Sequence, residues 1–559
     1  MSARLRLRVA AAVAFAGASI VGIRGFTSHV PGLEGAESST LVGALSPSTV
    51  PDRAAVGSLG SATDSACAVI LSTNDEHGGL RPIEQPWSGN RPAGGAEAIS
   101  AYVNDVRETA PCPVFLLSGG DMMQGTLMSN LTGGRATIDV MNEIGYDAAA
   151  LGNHEFDWGI QILQERMRQA RFPILSSNTY EKETNLHPTW VEPYAILERD
   201  GVRIGVIGAT TRSTPVTTHP DSVASLEFRP IAEALDLYIP RVRVEGVDFV
   251  VVVMHAGGFC HDAEGNEARC AGEAMDELAL TSAPFDYVVT VHTHSRVDDT
   301  IQGAPVVQSF ANMSAIGRGR LTRHASGEVV GELVAIDLVY PDSATRVDSV
   351  KALVDRYEKE AEDVALARVA TLADPLERQY RGASTLGRLI ADAQRVTTGA
   401  DVAIMNNGGI RTNLPAGPIS YGELFRVQPF QNTLILLELG GGFLLSALES
   451  SIDEDGIEAN ISGLTVEYDP EAVGVRVRCA RLSDGRPVSP DSTYSVVVNN
   501  FMAAGGAGYW MLKEATAAKQ TGIVDLDALV AYLEKQPQPV TAPQDKRWRA
   551  VIGGEAGCP

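Results

Sequence analysis

The run GNHEFD at residues 152–157 places an amide, an imidazole and two carboxylates within a few positions of one another. Side chains of these types bind metal ions or transfer protons. The apolar stretch 147–151 directly before it is typical of a buried strand. Taken alone, the run could be a strand-to-helix turn in which Asn153 caps the next helix and His154 lies on the surface. Matching polar groups at other strand ends favour chemistry.

Four further predicted strands are followed by residues of the same kinds, and these strands are 68–72, 114–118, 247–254 and 287–291. The side chains that follow them are Asp75, His77, Asp121, His255, His292 and His294. Ligands of α/β proteins gather beyond the carboxyl ends of strands, so we expect these groups at one edge. Asp, Asn and His together favour zinc or a transition metal over calcium, and two such ions can clamp a phosphoryl group.

The series D-x-H, G-D, G-N-H-E, a strand-terminal His and H-x-H resembles the motifs of the calcineurin-like metallophosphoesterases. TNDEHGG at 73–79 and GNHEFDWG at 152–159 resemble in particular the secreted 5'-nucleotidase and UDP-sugar hydrolase family. The resemblance implies two divalent metal ions, with zinc, manganese and cobalt as candidates. It implies that one ion is held by Asp75, His77 and His294, the other by Asn153, His255 and His292, with Asp121 as the bridge.

The same resemblance implies that His154, paired with Asp157, faces the substrate phosphate and does not bind metal. One departure lies close to these ligands, because Val291 precedes His292 where the family usually has Gly. The departure removes no ligand.

From about Arg368 the pattern restarts as a second α/β domain, with a predicted helix at 384–397 and a strand at 402–405. The motifs NNGGIRTNL at 406–414, Pro429-Phe430 and NFMAAGGAGY at 500–509 resemble the C-terminal substrate-binding domain of the same nucleotidases. The resemblance implies that Phe430 and Phe501 sandwich a nucleobase, a contact worth about 1 to 3 kcal/mol per base. It also implies substrate contacts from Asn406, Gly408, Gly409, Arg411 and an arginine that Arg381 or Arg378 matches loosely.

A second departure lies at Ala507, where the family commonly has an aspartate in G-G-D-G-[FY]. The resemblance implies that this carboxylate grips the ribose hydroxyls. We therefore expect weaker recognition of the sugar in this chain.

The alternation of short apolar runs with helix-like segments predicts an α/β fold. The resemblance implies an N-terminal αββα metallophosphoesterase sandwich at 66–340 and a smaller C-terminal α/β substrate-binding domain at 367–559. Residues 341–366, with Leu and Val on one face, predict a linker helix.

The N-terminus has the pattern of an export signal at 1–26, in which Arg4, Arg6 and Arg8 precede an apolar run of 15 residues. That run is shorter than the about 20 residues needed to span a membrane, although an uncleaved signal would serve as an anchor. Residues 27–65, rich in Ser, Thr, Gly, Pro and Ala, predict a disordered linker. We expect a secreted protein, extracellular or periplasmic, without a stable membrane span.

The chain has six cysteines, which in an exported protein predict disulfides. The first two open the predicted strands before Asp75 and Asp121, and parallel neighbouring strands would bring them together. The next two flank a short polar loop, and the last two remain. The predicted pairs are Cys67 with Cys112, Cys260 with Cys270, and Cys479 with Cys558.

The formal net charge of -24 disfavours binding to a nucleic-acid polymer. The predicted function is release of phosphate from nucleotides by a secreted dinuclear-metal phosphohydrolase of the 5'-nucleotidase type. Alternatives on the same site are a 2',3'-cyclic nucleotide phosphodiesterase and a UDP-sugar pyrophosphatase, while the two phenylalanines disfavour a sulfate-ester or thiosulfate hydrolase. The alternative of another class is a non-catalytic surface binding protein, which the complete ligand set disfavours. The sequence does not indicate an oligomeric state.

Overall fold

The structure is a computed structural model, and it describes residues 66–89, 91–261, 269–341, 347–552 and 558. The predicted export signal at 1–26 and the predicted linker at 27–65 lie outside the described residues. Within those ranges, no helix has both the length and the apolar character needed to cross a membrane.

Two sheets of six strands each form the N-terminal half. In spatial order, the first sheet contains Val329–Leu338, Ala315–Arg323, Ala66–Thr73, Val114–Ser118, Ala148–Ala150 and Ile174–Leu175. The second contains Arg296–Ile301, Ala304–Ser309, Tyr287–Thr290, Phe249–His255, Val202–Thr210 and Tyr194–Arg199. Parallel pairing dominates the centre of each sheet, and antiparallel strands lie toward the edges.

The central strands are apolar on both faces because both faces are buried. In Ala66–Thr73, Ala68 and Ile70 pack between the two sheets, whereas Val69 and Leu71 pack under helices. This arrangement explains why the sequence shows continuous apolar runs and not an alternation with polar residues. The helices over the first sheet are Ala96–Thr109, Arg135–Ile144, Gly159–Gln169 and Asp348–Ala365, and those over the second are Ile231–Val244 and Glu273–Leu280.

The layers are therefore helix, sheet, sheet, helix, as the resemblance implied. The strand ends that carry the candidate ligands come from both sheets, whereas the sequence alone led us to expect them at one edge. Asp75, Asp121 and Asn153 follow strands of the first sheet, and His255 and His292 belong to strand ends of the second. Because the sheets pack face to face, the carboxyl ends of both sets of strands meet.

The C-terminal half is built on a five-stranded sheet and a three-stranded sheet. The former contains Ala459–Ser462, Val402–Asn406, Thr493–Asn499, Thr433–Gly440 and Ala517–Val524, and the latter Val477–Leu482, Leu464–Tyr468 and Trp548–Ala550. Its helices include Thr385–Thr398, Tyr421–Val427, Gly441–Ser450, Asn500–Ala503 and Asp525–Lys535. The first of these begins after Ser384, whose Oγ accepts a hydrogen bond from the Gly387 backbone N–H at 3.0 Å.

Shorter elements connect these layers. They include the helices Leu127–Leu131 and Thr214–Thr217 and the strand pairs Ile83–Glu84 with Pro92–Ala93, Thr179–Glu181 with Leu226–Phe228, Phe259–His261 with Arg269–Ala271, and Arg368–Leu372 with Gly417–Ser420.

The helix Asp348–Ala365 joins the two halves and packs mainly on the N-terminal one. Val350, Val354 and Tyr357 lie in the core beneath the first sheet, whereas Val364 lies in the core of the C-terminal half. The change from one core to the other within the last turn places the covalent connection between the halves next to residue 366.

All six cysteines form disulfides, and the three pairs are those predicted. Cys67 and Cys112 are joined at the starts of two parallel strands, in which Val69 is in register with Val114. Cys260 and Cys270 face each other across a two-stranded hairpin. Cys479 and Cys558 attach the C-terminal end of the chain to the three-stranded sheet.

Candidate active site

Asp75, His77 and His294 form a first cluster of potential ligands, whose donor atoms all lie within 4.8 Å of one another. The Nε2 atoms of His77 and His294 are 3.1 Å apart, and His294 Nε2 lies 3.7 Å from Asp75 Oδ1. His77 Nδ1 lies 2.7 Å from the carbonyl oxygen of Gln124. Since Nδ1 must donate to that carbonyl, Nε2 keeps its lone pair and is free to bind a cation.

Asp121, His255 and His292 form the second cluster, with donor atoms again within 4.8 Å of one another. His255 Nε2 lies 3.0 Å from Asn153 Oδ1 and 3.3 Å from His292 Nδ1. The other nitrogen of His255, Nδ1, donates to the carbonyl oxygen of Gly119 at 3.0 Å. Asn153 belongs to this group because its Nδ2 donates to the Thr217 carbonyl oxygen at 3.2 Å, which turns Oδ1 toward His255.

Asp121 of the second cluster also approaches the first cluster. Its Oδ2 is 3.1 Å from His255 Nε2 and 4.0 Å from His77 Nε2. A single carboxylate thus reaches histidines of both groups, which is the position a bridging ligand requires.

The backbone that presents these side chains is strained. The φ angles of Asp75, His77, Asp121, His292 and His294 are 43°, 47°, 55°, 82° and 53°. Non-glycine residues rarely adopt this left-handed region, and such strain concentrates at functional sites.

Two buried glutamates that sequence reasoning did not assign hold the ligand loops. Glu155 accepts hydrogen bonds from the backbone N–H groups of Asp121, Met122 and Gly152 at 2.8, 2.7 and 2.8 Å. Glu76 accepts from the hydroxyls of Thr73 at 2.5 Å and Ser118 at 2.9 Å. Both glutamates occur within the motifs, but nothing in the spacing distinguishes a loop support from a ligand.

The donor set suits divalent cations. Burial lowers the pKa of His77 and of His292 to about 3, so both rings are neutral and can bind metal. Burial raises the pKa of Asp75 well above its ordinary value. A cation beside Asp75 would offset that desolvation cost, and carboxylate with imidazole favours zinc or a transition metal. The residues present therefore fit two metal ions.

His154 lies beside the clusters without belonging to either. Its backbone N–H donates to Asp121 Oδ1 at 2.8 Å, and its Nδ1 lies 2.7 Å from Asp157 Oδ2. Asp157 Oδ1 in turn accepts from the Thr218 hydroxyl at 2.7 Å. Burial opposes protonation of His154, but the carboxylates of Asp157 and Asp121 outweigh it and raise the pKa to about 9. With Nδ1 engaged by Asp157, Nε2 is the ring nitrogen left for a substrate.

Two positions near the candidate ligands require glycine, because a Cβ atom there would clash with a neighbouring side chain. Val291 is fully buried, and a Cβ on Gly119 would lie 1.9 Å from its Cγ1. The bare backbone of Gly119 thus accommodates the valine that the family resemblance did not expect. A Cβ on Gly152 would lie 2.2 Å from Asp121 Oδ1, so glycine is also required beside the bridging carboxylate.

A cleft of about 1090 Å³ opens over the clusters and is lined by both halves of the chain. From the N-terminal half its lining includes Asp121, Asn153, His154, Asp157, His292 and His294. From the C-terminal half it includes Asn406, Gly408, Gly409, Arg411, Phe430, Asn500, Phe501 and Ala507. Most of the residues expected to bind substrate are therefore brought to the residues expected to bind metal.

Phe430 and Arg411 approach the N-terminal half directly. The Phe430 ring stacks on the His154 ring, with centroids 5.6 Å apart and an interplanar angle of 26°. The Arg411 guanidinium carbon lies 5.8 Å from the Phe430 ring centroid. Asn406 Oδ1 accepts from Asn499 Nδ2 at 3.0 Å, which leaves the Asn406 amide N–H groups to face the cleft.

The structure places Arg381 apart from the cleft. Its guanidinium donates to Asp453 at 2.5 Å and also to Glu458, and it does not line the cleft. Arg378 lies nearer, since its Nη1 donates to the Arg411 carbonyl oxygen at 2.9 Å, but it too is outside the lining. Each arginine is occupied by partners within the C-terminal half, which the sequence spacing alone did not indicate.

Known proteins share both halves of this architecture. Residues 68–296 match the family model of the calcineurin-like phosphoesterases, and residues 366–514 match the 5'-nucleotidase C-terminal domain. The chain is 29% identical over 529 residues to the protein UshA of Yersinia enterocolitica, covering 85% of this chain and 92% of that protein. The chain belongs to the 5'-nucleotidase family.

Two further relatives match most of this chain, and one of them is much longer than this chain. The 5'-nucleotidase precursor from Thermus thermophilus is 28% identical with a TM-score of 0.74, and the match covers 87% of this chain and 100% of that one. Endonuclease YhcR of Bacillus subtilis is 31% identical over 502 residues, a match that covers 86% of this chain but 40% of that relative. This member of the 5'-nucleotidase family is thus a metal-dependent phosphoester hydrolase, with two clusters of residues that can hold the ions.

Proposed function

We propose that this protein is a secreted two-metal phosphohydrolase that releases phosphate from 5'-nucleotides. The observation that carries this proposal is the cleft in which both metal-binding clusters meet Phe430, Phe501 and Arg411. Aromatic rings opposite the phosphate site suit a substrate that carries a nucleobase, because aromatic faces stack on any base. We propose three segments for the described part of the chain. The metal-binding domain spans residues 66–340, the linker spans 341–366, and the substrate-binding domain spans 367–559.

Asp75, His77 and His294 would hold the first ion. Asn153, His255 and His292 would hold the second, and Asp121 would be shared by both. When bound, the two ions would polarise the phosphoryl oxygens and supply hydroxide at neutral pH.

The protein side chains around the ions position the phosphate and stabilise its charge. Asp157 holds Nδ1 of His154 at 2.7 Å, which fixes the ring so that Nε2 can donate to a phosphoryl oxygen. Thr218 fixes Asp157 in turn with its hydroxyl at 2.7 Å. Because Thr218 and Asp157 already fix the His154 ring, the ring loses little conformational freedom when the reaction begins. Such preorganisation is the condition for effective electrostatic stabilisation.

The C-terminal wall supplies recognition of the rest of the nucleotide. Phe430 and Phe501 provide aromatic faces for a base, and the Asn406 amide offers donors that can meet ring nitrogens or carbonyl oxygens. Arg411 lies beside Phe430 and supplies positive charge near the phosphate. Gly408 and Gly409 line the cleft without side chains, so a substrate can approach the backbone there.

The proposal of a secreted protein is supported by the three disulfides, since such bonds persist in oxidising compartments. Fractionation of the producing cells, with mass spectrometry of the mature N-terminus, would show whether residues 1–26 are removed. Retention of the intact N-terminus in a membrane fraction would indicate an anchored protein instead.

Chromatography of the products, together with release of inorganic phosphate, tests the proposed activity on a substrate panel. Both measurements are needed because hydrolysis of a cyclic nucleotide or of the UDP-glucose pyrophosphate yields phosphomonoesters and no free phosphate. The full chain is assayed with manganese on AMP, ADP, ATP, 2',3'-cyclic AMP and UDP-glucose. We expect the highest kcat/KM with AMP. A preference for the cyclic nucleotide or for UDP-glucose would assign the site to a phosphodiesterase or a pyrophosphatase, and binding without turnover of any substrate would contradict an enzymatic role.

A further inference from the structure

Asn130 forms a hydrogen bond between the two halves of the molecule. It lies on the short helix Leu127–Leu131 of the N-terminal half, and its Nδ2 donates to the carbonyl oxygen of Pro429 at 2.7 Å. Pro429 directly precedes Phe430, the aromatic residue that lines the cleft. The amide of Asn130 therefore contacts the backbone of the base-binding segment.

The other end of the same side chain is attached to the loop of a metal ligand. Asn130 Oδ1 accepts from the Gly125 backbone N–H at 3.0 Å. The preceding residue, Gln124, accepts from His77 Nδ1 at 2.7 Å through its carbonyl oxygen. A Cβ on Gly125 would lie 2.4 Å from the His77 carbonyl oxygen, so this loop and His77 are in tight contact. One side chain thus links the His77 loop with the Phe430 segment.

The surroundings of Asn130 favour a directed bond over a solvated surface contact. Asn130 is 8% exposed, and Leu127 on the same helix packs into the core of the C-terminal half. A buried amide that lost its partner would leave an unsatisfied donor, which is costly. The helix therefore docks on the C-terminal half through an apolar contact and fixes the alignment through Asn130.

We propose that Asn130 is a positioning residue that sets Phe430 for binding the base, an inference that rests on the proposed nucleotidase function. The Phe430 ring stacks on His154 with centroids 5.6 Å apart, so the backbone at Pro429 determines how the base-binding ring faces the phosphate-binding histidine. The hydrogen bond holds that backbone relative to the metal-binding clusters, while Asn130 itself is outside the lining of the cleft and outside both clusters.

The test compares two substrates that differ only in the base. AMP uses the aromatic wall and ribose 5-phosphate does not, so the ratio of their kcat/KM values reports on base positioning. In Asn130→Ala we expect the ratio to fall about tenfold, which is about 1.4 kcal/mol, through a higher KM for AMP. The kcat for ribose 5-phosphate and the metal content should change less than twofold.

Asn130→Asp separates the two ends of the side chain, because it keeps an acceptor for Gly125 and removes the donor to Pro429. We expect at least the same fall in the ratio as in Asn130→Ala. The matched control is Asn142→Ala, since Asn142 donates to the Gln169 carbonyl oxygen at 3.0 Å and accepts from the Arg171 N–H at 2.6 Å, all within the N-terminal half. Its loss should lower the melting temperature similarly without changing the ratio.

The inference is overturned if the Asn130 variants lose activity on both substrates equally, if Asn142→Ala changes the ratio as much, or if Asn130→Asp leaves the ratio unchanged. Failure of the proposed function has a different result, because the native protein would then show no preference for AMP over ribose 5-phosphate. If the Asn130→Ala protein does not fold, the isosteric Asn130→Asp variant decides the question alone.

Discussion

Replacing His154 with alanine should separate catalysis from metal binding. The variant loses the Nε2 donor toward the phosphate and the 2.7 Å contact between Nδ1 and Asp157. It keeps the 2.8 Å bond from the backbone N–H to Asp121, since that bond does not involve the side chain. The loss of a positioned donor or proton carrier lowers kcat by about 10² to 10⁴, which is about 2.7 to 5.4 kcal/mol in the barrier.

Steady-state kinetics on AMP and elemental analysis of the same samples measure the two effects. The KM for AMP should rise modestly as well, because the Phe430 ring loses the His154 ring on which it stacks. Asp121→Ala is the comparison, since Asp121 contacts both clusters and its loss should release metal along with activity. His324→Ala, at an exposed hairpin end, should match the native protein.

Metal loss from His154→Ala comparable with that from Asp121→Ala would refute the reasoning, because His154 would then be a ligand. A kcat within threefold of the native value would also refute it, since the donor would have no part in stabilising the transition state.

Exhaustive chelation should abolish phosphate release, and added manganese, zinc or cobalt should restore it; activity of a sample shown to be metal-free by elemental analysis would contradict the two-metal assignment. Arg411→Ala should raise the KM for AMP about tenfold, because Arg411 lines the cleft. Arg381→Ala should change the KM less than twofold, because the partners of Arg381 are Asp453 and Glu458. Equal changes of KM in the two variants would contradict the assignment of Arg411 alone to substrate binding. With Ala507 in place of a carboxylate, the enzyme should accept dAMP almost as well as AMP, and Ala507→Asp should restore a ribo preference; a native kcat/KM ratio above about thirtyfold, roughly 2 kcal/mol, would mean that another group binds the diol.

The convergence of the candidate metal ligands was predictable because each lies at or just after the end of a strand that the apolar runs of the sequence indicate. Val114–Ser118 begins and ends where the apolar run does, and Asp121 follows after a short loop. The pairing of Cys67 with Cys112 was predictable for the same reason, since parallel register places the starts of neighbouring strands together. These inferences depend on short stretches of chain and on the register of neighbouring strands.

Features that depend on packing between distant segments were not predictable. The sequence does not indicate that Asp121 and His255 come from different sheets, because either arrangement gives the same apolar runs. It does not distinguish Glu155, which binds three backbone N–H groups, from a metal ligand in the same motif. Nor does it separate Arg381 from Arg411, since the acidic partners of Arg381 lie far along the chain.

The strain at the metal site shows why the fold needs so large a core. Left-handed backbone at a non-glycine residue costs about 1 to 3 kcal/mol, so the φ angles of the ligand loops together cost an amount comparable to the net stability of a typical domain. The affected residues are Asp75, His77, Asp121, His292 and His294. Loops could not hold this conformation alone. They hold it because each begins at the buried end of a strand. Glu155 also accepts hydrogen bonds from the backbone N–H groups of Asp121 and Gly152, which ties two of the loops together. The stacked sheets thus supply the rigidity that lets the ligand atoms converge.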